Sequence, residues 1–483
     1  MGELAGKIEH VVVLMLENRS FDSMLGSLYP KSPEFDGLSG NETNPHTGQG
    51  DVQVWSSNAT DPQSMSIPTP DPGELWTDIN TQLFGLNGTP GLQIPSMNGF
   101  VDNYVRQTDE PPGSYKPESI MHYYDPSQVP VISQLAKQFA VCDQWFASAP
   151  CQTWPNRFFL HCATAGGYRD NSPTHFPYLM DTVFNRFEDA GKPWKIYFHD
   201  FPQTLTLTKL WPYIDHFRLF NEFLDDAKSG NLPAYTFIEP RYFPDVVLPN
   251  DQHPPHNVGM GEELISSVYN AVRSSPVWKK SLLIIIYDEH GGCYDHAPPP
   301  TAVPPDDSNP QPFGFDRYGV RIPAVLVSPY IKPGTILRAA EGNLPHSGPP
   351  YPFDHTSVFA TLRKCFGLST PLTNRDAVAP DLENVLNLET PDNDGASSVA
   401  ALPYPMTESD IQKALGAPLN DFQKGLHEAA FYLPSLDLVK DAESIDSHVK
   451  NIVDKALGDV PDNKTPNDAL PLIKDKLKAY FGW

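Results

Sequence analysis

Short runs of apolar residues recur along the chain, and their lengths match buried β-strands better than helices. The runs are continuous and several are rich in valine and isoleucine, a pattern typical of parallel strands that are covered on both faces. They span residues 8–16, 234–238, 282–287 and 321–330. Apolar residues at helical spacing predict further elements over 130–140, 261–272 and 351–367. Strands that alternate with helices indicate an α/β protein with a mostly parallel central sheet.

Polar residues follow two of these runs directly. Glu17 and Asn18 come after the first run, and Asp288, Glu289 and His290 come after the run that ends at residue 287. Because parallel strands end at the same edge of a sheet, we expect these side chains to lie together. Carboxylate and amide oxygens bind hard divalent cations, so Glu17, Asn18, Asp288 and Glu289 are candidate metal ligands. Glu17 could instead cap the next helix, but the amide beside it favours the metal role.

A second candidate site lies in the sequence TWPNR, which has the pattern T-x-P-x-R. Proline is tolerated at a helix start, so Thr153 is expected near a helix N-terminus, where free N–H groups stabilise an alkoxide or a phosphate. Arg157, one turn further, can present its planar fork to phosphate oxygens. Thr153 is therefore a candidate nucleophile, although an ordinary N-cap threonine produces the same pattern. Cys151 is a rival nucleophile, but its spacing to Pro155 and Arg157 does not place it on the same helical turn. We therefore expect Cys151 to be a small packing residue.

A proline-rich loop carries the sequence DQHPPH, with Asp251, His253 and His256. Histidines in a stiff loop can bind phosphate or protonate a leaving group, and we assign His253 and His256 to that role. Asp251 and His290 are expected to border the phosphate. The alternative interpretation is a solvated loop without a catalytic role.

The composition narrows the possible functions. The chain has 483 residues, and 59 acidic against 34 basic side chains give a formal charge of −25, which argues against nucleic acid as a partner. No apolar run approaches the roughly 18 residues of a membrane span, so we expect no transmembrane segment. The N-terminus lacks the layout of a signal peptide, so we expect a cytoplasmic protein or one exported without a cleaved signal. The five cysteines show no CxxC spacing, which disfavours a disulfide framework or a cysteine-ligated zinc site.

Two long stretches fall outside the alternation of strands and helices. Residues 29–130 are rich in Gly, Pro, Asn and Ser, which predicts an irregular wall or lid of the site. Near the C-terminus, helical spacing over 445–457 and 470–481 predicts two amphipathic helices. We therefore expect a catalytic domain over 1–395 and a C-terminal helical region over 396–483 that packs on it or acts as a lid.

Four motifs occur in order: ENRSFD at 17–22, TWPNR at 153–157, DQHPPH at 251–256 and YDEHGGCYDH at 287–296. With them the chain resembles, over about 8–388, the phosphoesterase family of non-specific phospholipases C and some bacterial acid phosphatases. The resemblance implies an alkaline-phosphatase-like α/β/α sandwich. By position, it also implies metal ligation by Glu17, Asn18, Asp288 and Glu289, a Thr153 nucleophile, and His253 and His256 around the phosphate. Cys151 and Cys293 depart from the residues usual in the family.

The function that the resemblance implies is a metal-dependent phospholipase C. Such an enzyme cuts a glycerophospholipid such as phosphatidylcholine into diacylglycerol and a phosphorylated head group through a phosphothreonine intermediate. The cofactor would be a divalent ion: Mg, Ca, Mn or Zn. The expected partner is a phospholipid, with transient contact to a membrane surface; the oligomeric state stays open. The alternatives are an acid phosphatase that uses the same site and a non-catalytic phospholipid-binding protein.

Overall fold

A computed structural model of the protein describes residues 3–57, 62–91, 93–308, 310–339, 350–368, 370–454 and 460–483. The strands are β1 His10–Leu16, β2 Thr43–His46, β3 Gly50–Gln53, β4 Ala140–Cys142, β5 Trp194–Phe198, β6 Phe217–Leu219, β7 Tyr235–Ile238, β8 Ser281–Tyr287, β9 Ala324–Val327 and β10 Thr335–Leu337. The helices up to the end of the sheet region are α1 Glu3–Lys7, α2 Phe21–Leu25, α3 Trp76–Phe84, α4 Phe100–Tyr104, α5 Pro130–Gln138, α6 Thr153–Cys162, α7 Val183–Asp189, α8 Phe220–Ser229, α9 Val258–Ser274, α10 Thr356–Phe366 and α11 Asn374–Val378. The C-terminal helices are α12 Glu408–Leu415, α13 Asp421–Phe431, α14 Leu436–Val439, α15 Ala442–Asp454 and α16 Pro466–Phe481.

Within the described residues, eight strands form the central sheet, in the order β10–β4–β9–β8–β1–β7–β5–β6. All neighbouring strands are parallel except where β9 pairs with β4 and with β8. Every residue of β8 is buried, as the run of isoleucines predicts for a strand covered on both faces. One covering layer contains α5, α8 and α9, and the other contains α1, α6, α7 and α10. The predicted α/β fold with a mostly parallel sheet is confirmed.

The strand predicted within 321–330 forms as β9, but it runs against its neighbours. An apolar run shows that a strand is buried and carries no information about its direction. The strand therefore belongs to the core, and its end lies at the opposite edge from the ends of β1 and β8.

The stretch over 29–130 is mostly irregular, as predicted, and contains the β2–β3 hairpin, α3 and α4. It has a small core of its own, which includes Ile79, Leu83, Phe100 and Tyr104. This core gives the stretch a fixed shape, so its residues 71–75 can be held in a defined place against the central sheet.

Among the C-terminal helices, α15 and α16 coincide with the two predicted helices, except that residues 455–457 lie outside the described part of the chain. Contacts tie this region to the rest of the protein: Tyr480 Oη donates to the Trp211 carbonyl at 3.1 Å, and Gln423 Nε2 donates to the Tyr242 carbonyl at 2.7 Å. The predicted boundary near 395 stays a prediction. None of the helices in the described ranges is long and apolar enough to cross a membrane.

Candidate functional site

The site begins where β1 and β8 end side by side, with Leu16 paired to Tyr287. Glu17 and Asn18 therefore emerge next to Asp288 and Glu289, as expected for parallel neighbours. The backbone N–H of Asn18 donates to Asp288 Oδ1 at 3.1 Å. Asn18 has a φ of 56°, a left-handed conformation that asparagine tolerates better than most residues. The structure thus brings the four predicted metal ligands to one sheet edge.

Two glycines after His290 allow a close approach of backbone to this edge. Both have a positive φ, 61° at Gly291 and 64° at Gly292. A Cβ on Gly291 would lie 2.1 Å from the Asn18 carbonyl oxygen, and one on Gly292 would lie 2.9 Å from the Gly73 carbonyl oxygen. The double glycine therefore admits both the Asn18 backbone and a segment from the irregular stretch.

Thr153 is the first residue of α6 and has no solvent exposure. Its hydroxyl donates to Asn18 Oδ1 at 3.3 Å. The N-cap position belongs to Gln152, so the alternative in which Thr153 caps its own helix does not describe the structure. The hydroxyl faces the candidate metal ligands from a helix N-terminus.

Arg157 lies one turn further along α6 and is fully buried. Its Nη2 donates to Glu17 Oε1 at 2.9 Å, and its Nε donates to Asp288 Oδ2 at 3.1 Å. The rings of Tyr242 and Phe422 lie 5.4 and 5.7 Å from the guanidinium carbon. The structure therefore places Arg157 between two candidate metal ligands, and its Nη1 has no hydrogen-bond partner.

Two carboxylate oxygens of this site, Glu17 Oε2 and Glu289 Oε1, are buried without a hydrogen-bond partner. Burial raises the pKa of Glu17 well above 4.5, which Arg157 only partly offsets. Burial, followed by the nearby charges of Glu74 and Asp288, raises the pKa of Glu289. Buried acceptors without donors are rare in folded proteins, and a cation would satisfy them. The donor set of carboxylate and amide oxygens fits a hard divalent ion.

A tight group of possible ligands borders these residues. Within the described part of the chain, two groups of acidic and histidine side chains have ligand atoms within 4.8 Å of one another. One of them contains Asp71, Glu74 and His253. Glu17, Asp288 and Glu289 are not one of these two groups, and Arg157 lies between Glu17 and Asp288.

The loop with the two predicted histidines packs beside the sheet edge, since the Glu17 N–H donates to the Asp251 carbonyl at 2.8 Å. His253 is 2% exposed and lies 3.7 Å from an oxygen of Asp71 and 3.6 Å from an oxygen of Glu74. Burial opposes the charge on His253, but the two acids raise its pKa well above 6.5. The half-buried His256 bonds through Nδ1 to Asp251 Oδ1 at 2.7 Å.

His290 lies behind the acidic pair, where its Nε2 bonds to Gln82 Oε1 at 2.8 Å. Its Nδ1 is 3.1 Å from Glu289 Oε2. Burial lowers the pKa of His290 to about 3, so the ring is neutral near pH 7. In this arrangement His290 joins the strand end to the irregular stretch.

Several residues of the site are absent from the sequence predictions. Asp71, Glu74 and Gln82 come from the stretch predicted as irregular, and no spacing in the sequence points to them. His355 also borders the site, where its Nε2 bonds to the Asp288 carbonyl oxygen at 2.6 Å. Only the fold brings these groups to the site.

Comparisons with known proteins identify the class to which this site belongs. The sequence profile of the Phosphoesterase family matches residues 8–369, and the chain belongs to that family. This finding confirms the predicted resemblance and the predicted enzyme class, the phosphoric ester hydrolases.

Individual relatives carry more specific names. Non-specific phospholipase C3 of Arabidopsis thaliana is 38% identical over 460 residues, covering 91% of this chain and 85% of that protein. Non-specific phospholipase C1 of the same plant is 40% identical over 408 residues, covering 80% and 72%. Phospholipase C A of Mycobacterium tuberculosis is 28% identical over 441 residues, covering 80% and 78%.

A solved structure from Vibrio parahaemolyticus, described as a protein in the alkaline phosphatase superfamily, matches with a TM-score of 0.32 and 12% identity. It covers 52% of this chain and 64% of that one. A similarity of this size adds nothing to the fold described above.

Proposed function

We propose that the chain is a phospholipase C that hydrolyses glycerophospholipids such as phosphatidylcholine to diacylglycerol and a phosphorylated head group. One observation carries the proposal: the Thr153 hydroxyl donates to Asn18 Oδ1 beside the unsatisfied carboxylates of Glu17 and Glu289. The relatives named non-specific phospholipase C support it.

Glu17, Asn18, Asp288 and Glu289 would hold the divalent cation. Their oxygen atoms suit Mg, Ca or Mn, and Zn also accepts carboxylate ligands. When bound, such an ion offsets phosphate charge and lowers the pKa of a nearby hydroxyl. Arg157 would contribute its unpaired Nη1 as a donor to a phosphate oxygen.

The reactive form of Thr153 is the alkoxide, which a bound cation would stabilise once the hydroxyl proton has passed to solvent. In the first step, its Oγ1 attacks phosphorus and the bond from phosphorus to the diacylglycerol oxygen breaks. His253, charged beside Asp71 and Glu74, gives its proton to the departing alcohol. The head group stays on Thr153 as a phosphate ester. Water then attacks phosphorus, gives a proton to the histidine, and displaces Thr153 as the alkoxide, which releases the phosphorylated head group. His256, oriented by Asp251, is the alternative proton carrier.

A phosphomonoesterase is the second candidate, and the enclosure of the site favours it. Thr153, Asn18 and Glu289 have no solvent exposure, which suits a small substrate better than a lipid. A lipid would need an apolar and accessible rim; Leu75, next to Glu74, is 45% exposed and could belong to one. A phospholipase C would contact the lipid surface transiently through such a rim.

Turnover of the purified protein on a phosphocholine diester and on phosphocholine, each before and after chelation, tests the proposal. We expect a preference for the diester that the chelator removes and an added divalent ion restores. A preference for the monoester would mean a phosphatase. No turnover of either compound would favour a phospholipid-binding protein.

A further inference from the structure

Glu74 belongs to the irregular stretch, yet its carboxylate reaches the centre of the site. Glu74 is buried, with only 8% of its surface exposed. Its Oε1 accepts a hydrogen bond from Asn18 Nδ2 at 2.7 Å and lies 3.6 Å from His253 Nε2. One oxygen thus contacts a candidate metal ligand and the candidate general acid.

The first contact determines which end of the Asn18 amide faces the nucleophile. An ionised carboxylate only accepts hydrogen bonds, so it selects the NH₂ end of the amide. The oxygen end is then left for Thr153, whose hydroxyl donates to it at 3.3 Å. The same oxygen is the atom that a metal ion would bind. Before an ion binds, the Glu74 carboxylate is the described partner that selects this orientation, because the Thr153 hydroxyl can either donate to an oxygen or accept from an N–H.

The segment that carries Glu74 is held firmly on the site. Gln82 Nε2 donates to the Gly73 carbonyl at 2.8 Å, and Gln82 Oε1 bonds to His290 Nε2 at 2.8 Å. Gly292 makes room for this approach, since a Cβ there would lie 2.6 Å from Pro72 Cβ. Gln82, in α3, therefore connects the segment that carries Glu74 to His290, which follows β8.

We propose that Glu74 is a positioning residue that turns the Asn18 oxygen toward Thr153 and pairs with the His253 ring. The inference rests on the proposed function and assigns to it a residue from outside the four sequence motifs. Two substitutions separate its two contacts. Glu74→Gln keeps an oxygen that can accept from Asn18 but removes the negative charge opposite His253. Glu74→Ala removes both contacts.

The experiment measures kcat and KM on two phosphocholine diesters that differ in leaving group. A nitrophenolate leaves without protonation, whereas an alkyl alcohol needs a general acid. We expect Glu74→Ala to lower kcat on both esters by about 10- to 100-fold, the usual effect of losing a partner of a metal ligand. We expect Glu74→Gln to spare the nitrophenyl ester and to lower kcat on the alkyl ester by about 100-fold, the size of a general-acid contribution.

Calorimetric titration with Mg²⁺, Ca²⁺ or Mn²⁺ provides a readout other than turnover. Glu74→Ala should weaken binding of whichever ion binds the wild type by about 10-fold, and Glu74→Gln should leave it unchanged. Glu110→Gln, which removes an exposed carboxylate of the same stretch, is the matched control and should change neither rates nor affinity. The melting temperature of each variant reports folding, and the isosteric Glu74→Gln decides the outcome if Glu74→Ala does not fold.

The outcomes separate this inference from the proposed function. A wild type that turns over neither diester contradicts the proposed function. With an active wild type, equal losses on both esters in Glu74→Gln would overturn the role of Glu74, as would wild-type rates and affinity in Glu74→Ala. A selective loss on the alkyl ester supports it.

Discussion

Two clusters of buried charge lie after β1 and β8, and they differ in how completely their carboxylates are hydrogen-bonded. The Arg157 cluster contains Glu17, Asn18, Asp288, Glu289 and Arg157. The Arg321 cluster contains Asp22, Asp295, His296 and Arg321. Each combines a fully buried arginine with buried acids, so the residue types alone would allow either to bind a cation.

In the Arg321 cluster, every oxygen of the two aspartates has a donor. Asp22 accepts from Arg321 at 2.9 Å and from His296 at 2.6 Å. Asp295 accepts from Arg321 at 3.0 Å and from the Asp22 N–H at 3.1 Å. Burial disfavours the ionised form of Asp22, but the charges of His296 and Arg321 outweigh it and lower the pKa of Asp22.

In the Arg157 cluster, by contrast, Glu17 and Glu289 each keep a buried oxygen without a donor. We call a cluster saturated when every carboxylate oxygen has a hydrogen-bond donor, which leaves no free oxygen for a cation. In an unsaturated cluster, a buried oxygen without a donor destabilises the fold, and a bound cation would remove that destabilisation. We therefore interpret the Arg321 cluster as structural and the Arg157 cluster as the catalytic site.

The largest effect is expected at the proposed nucleophile, Thr153, beside the Arg157 cluster. Thr153→Ala should lower kcat by at least about 1000-fold, because no other hydroxyl replaces the attacking group. The melting temperature should change little, since the side chain makes one long hydrogen bond. Thr153→Ser, which keeps a hydroxyl, is the control. Full turnover by Thr153→Ala would contradict the assignment of the Arg157 cluster as the catalytic site, because that assignment depends on attack by Thr153.

Removing each arginine sharpens the comparison. Arg321→Met removes the charged partner and one donor from each of two buried aspartates and should destabilise the fold by about 3–5 kcal/mol. Arg157→Met should cost a similar amount in a chelator, but an added divalent ion should recover part of it. Chemical denaturation with and without the ion measures both variants. Recovery of Arg321→Met by the ion would reverse the assignment of the two clusters.

A divalent ion should also stabilise the wild type through the Arg157 cluster. At 100 times its dissociation constant, an ion that binds only the folded state adds about 2.7 kcal/mol. Glu289→Gln should abolish the resulting rise in melting temperature. Asp295→Asn, in the saturated cluster, should lower stability yet keep the rise. The same rise in both variants would contradict a metal site at Glu289.

The last prediction is a pH dependence of the Arg321 cluster, which is gradual and amounts to little within any one pH unit. Burial disfavours the charged ring of His296, but the nearby carboxylates of Asp22 and Asp36 outweigh it and raise the pKa of His296 from 6.5 to about 10. Because the pKa is higher in the folded state, this stabilisation is complete below about pH 6.5 and is lost as the pH rises toward 10. Relative to His296→Gln, the wild type should lose at most about 1.4 kcal/mol of unfolding free energy per pH unit in that window. A constant difference between the two proteins would show that His296 is neutral when folded.

Sequence predicts only those site residues that directly follow a recognisable strand or helix pattern. Apolar runs locate the strands, so Glu17 and Asp288 could be placed at one sheet edge. Glu74 could not, because it lies 56 residues from Asn18 in a stretch without periodicity. The direction of β9 and the contact of Phe422 with Arg157 are likewise set by tertiary packing.

Arg157 shows a different limit. Its guanidinium fork matches carboxylates as well as phosphates, and the sequence pattern predicted only the phosphate. In the structure it pairs with Glu17 and Asp288. The sequence identifies the group, and the choice of partner depends on which anions the fold places within reach.

The most direct test of the central claim is to trap the proposed covalent intermediate. The wild type would be mixed with a phosphocholine diester and a divalent ion, quenched in acid within one turnover, and its peptides analysed by mass spectrometry. The account predicts a phosphocholine group on the peptide that contains Thr153, and none in Thr153→Ala or after chelation. Rapid turnover without an adduct on Thr153, or an adduct on another residue, would contradict it.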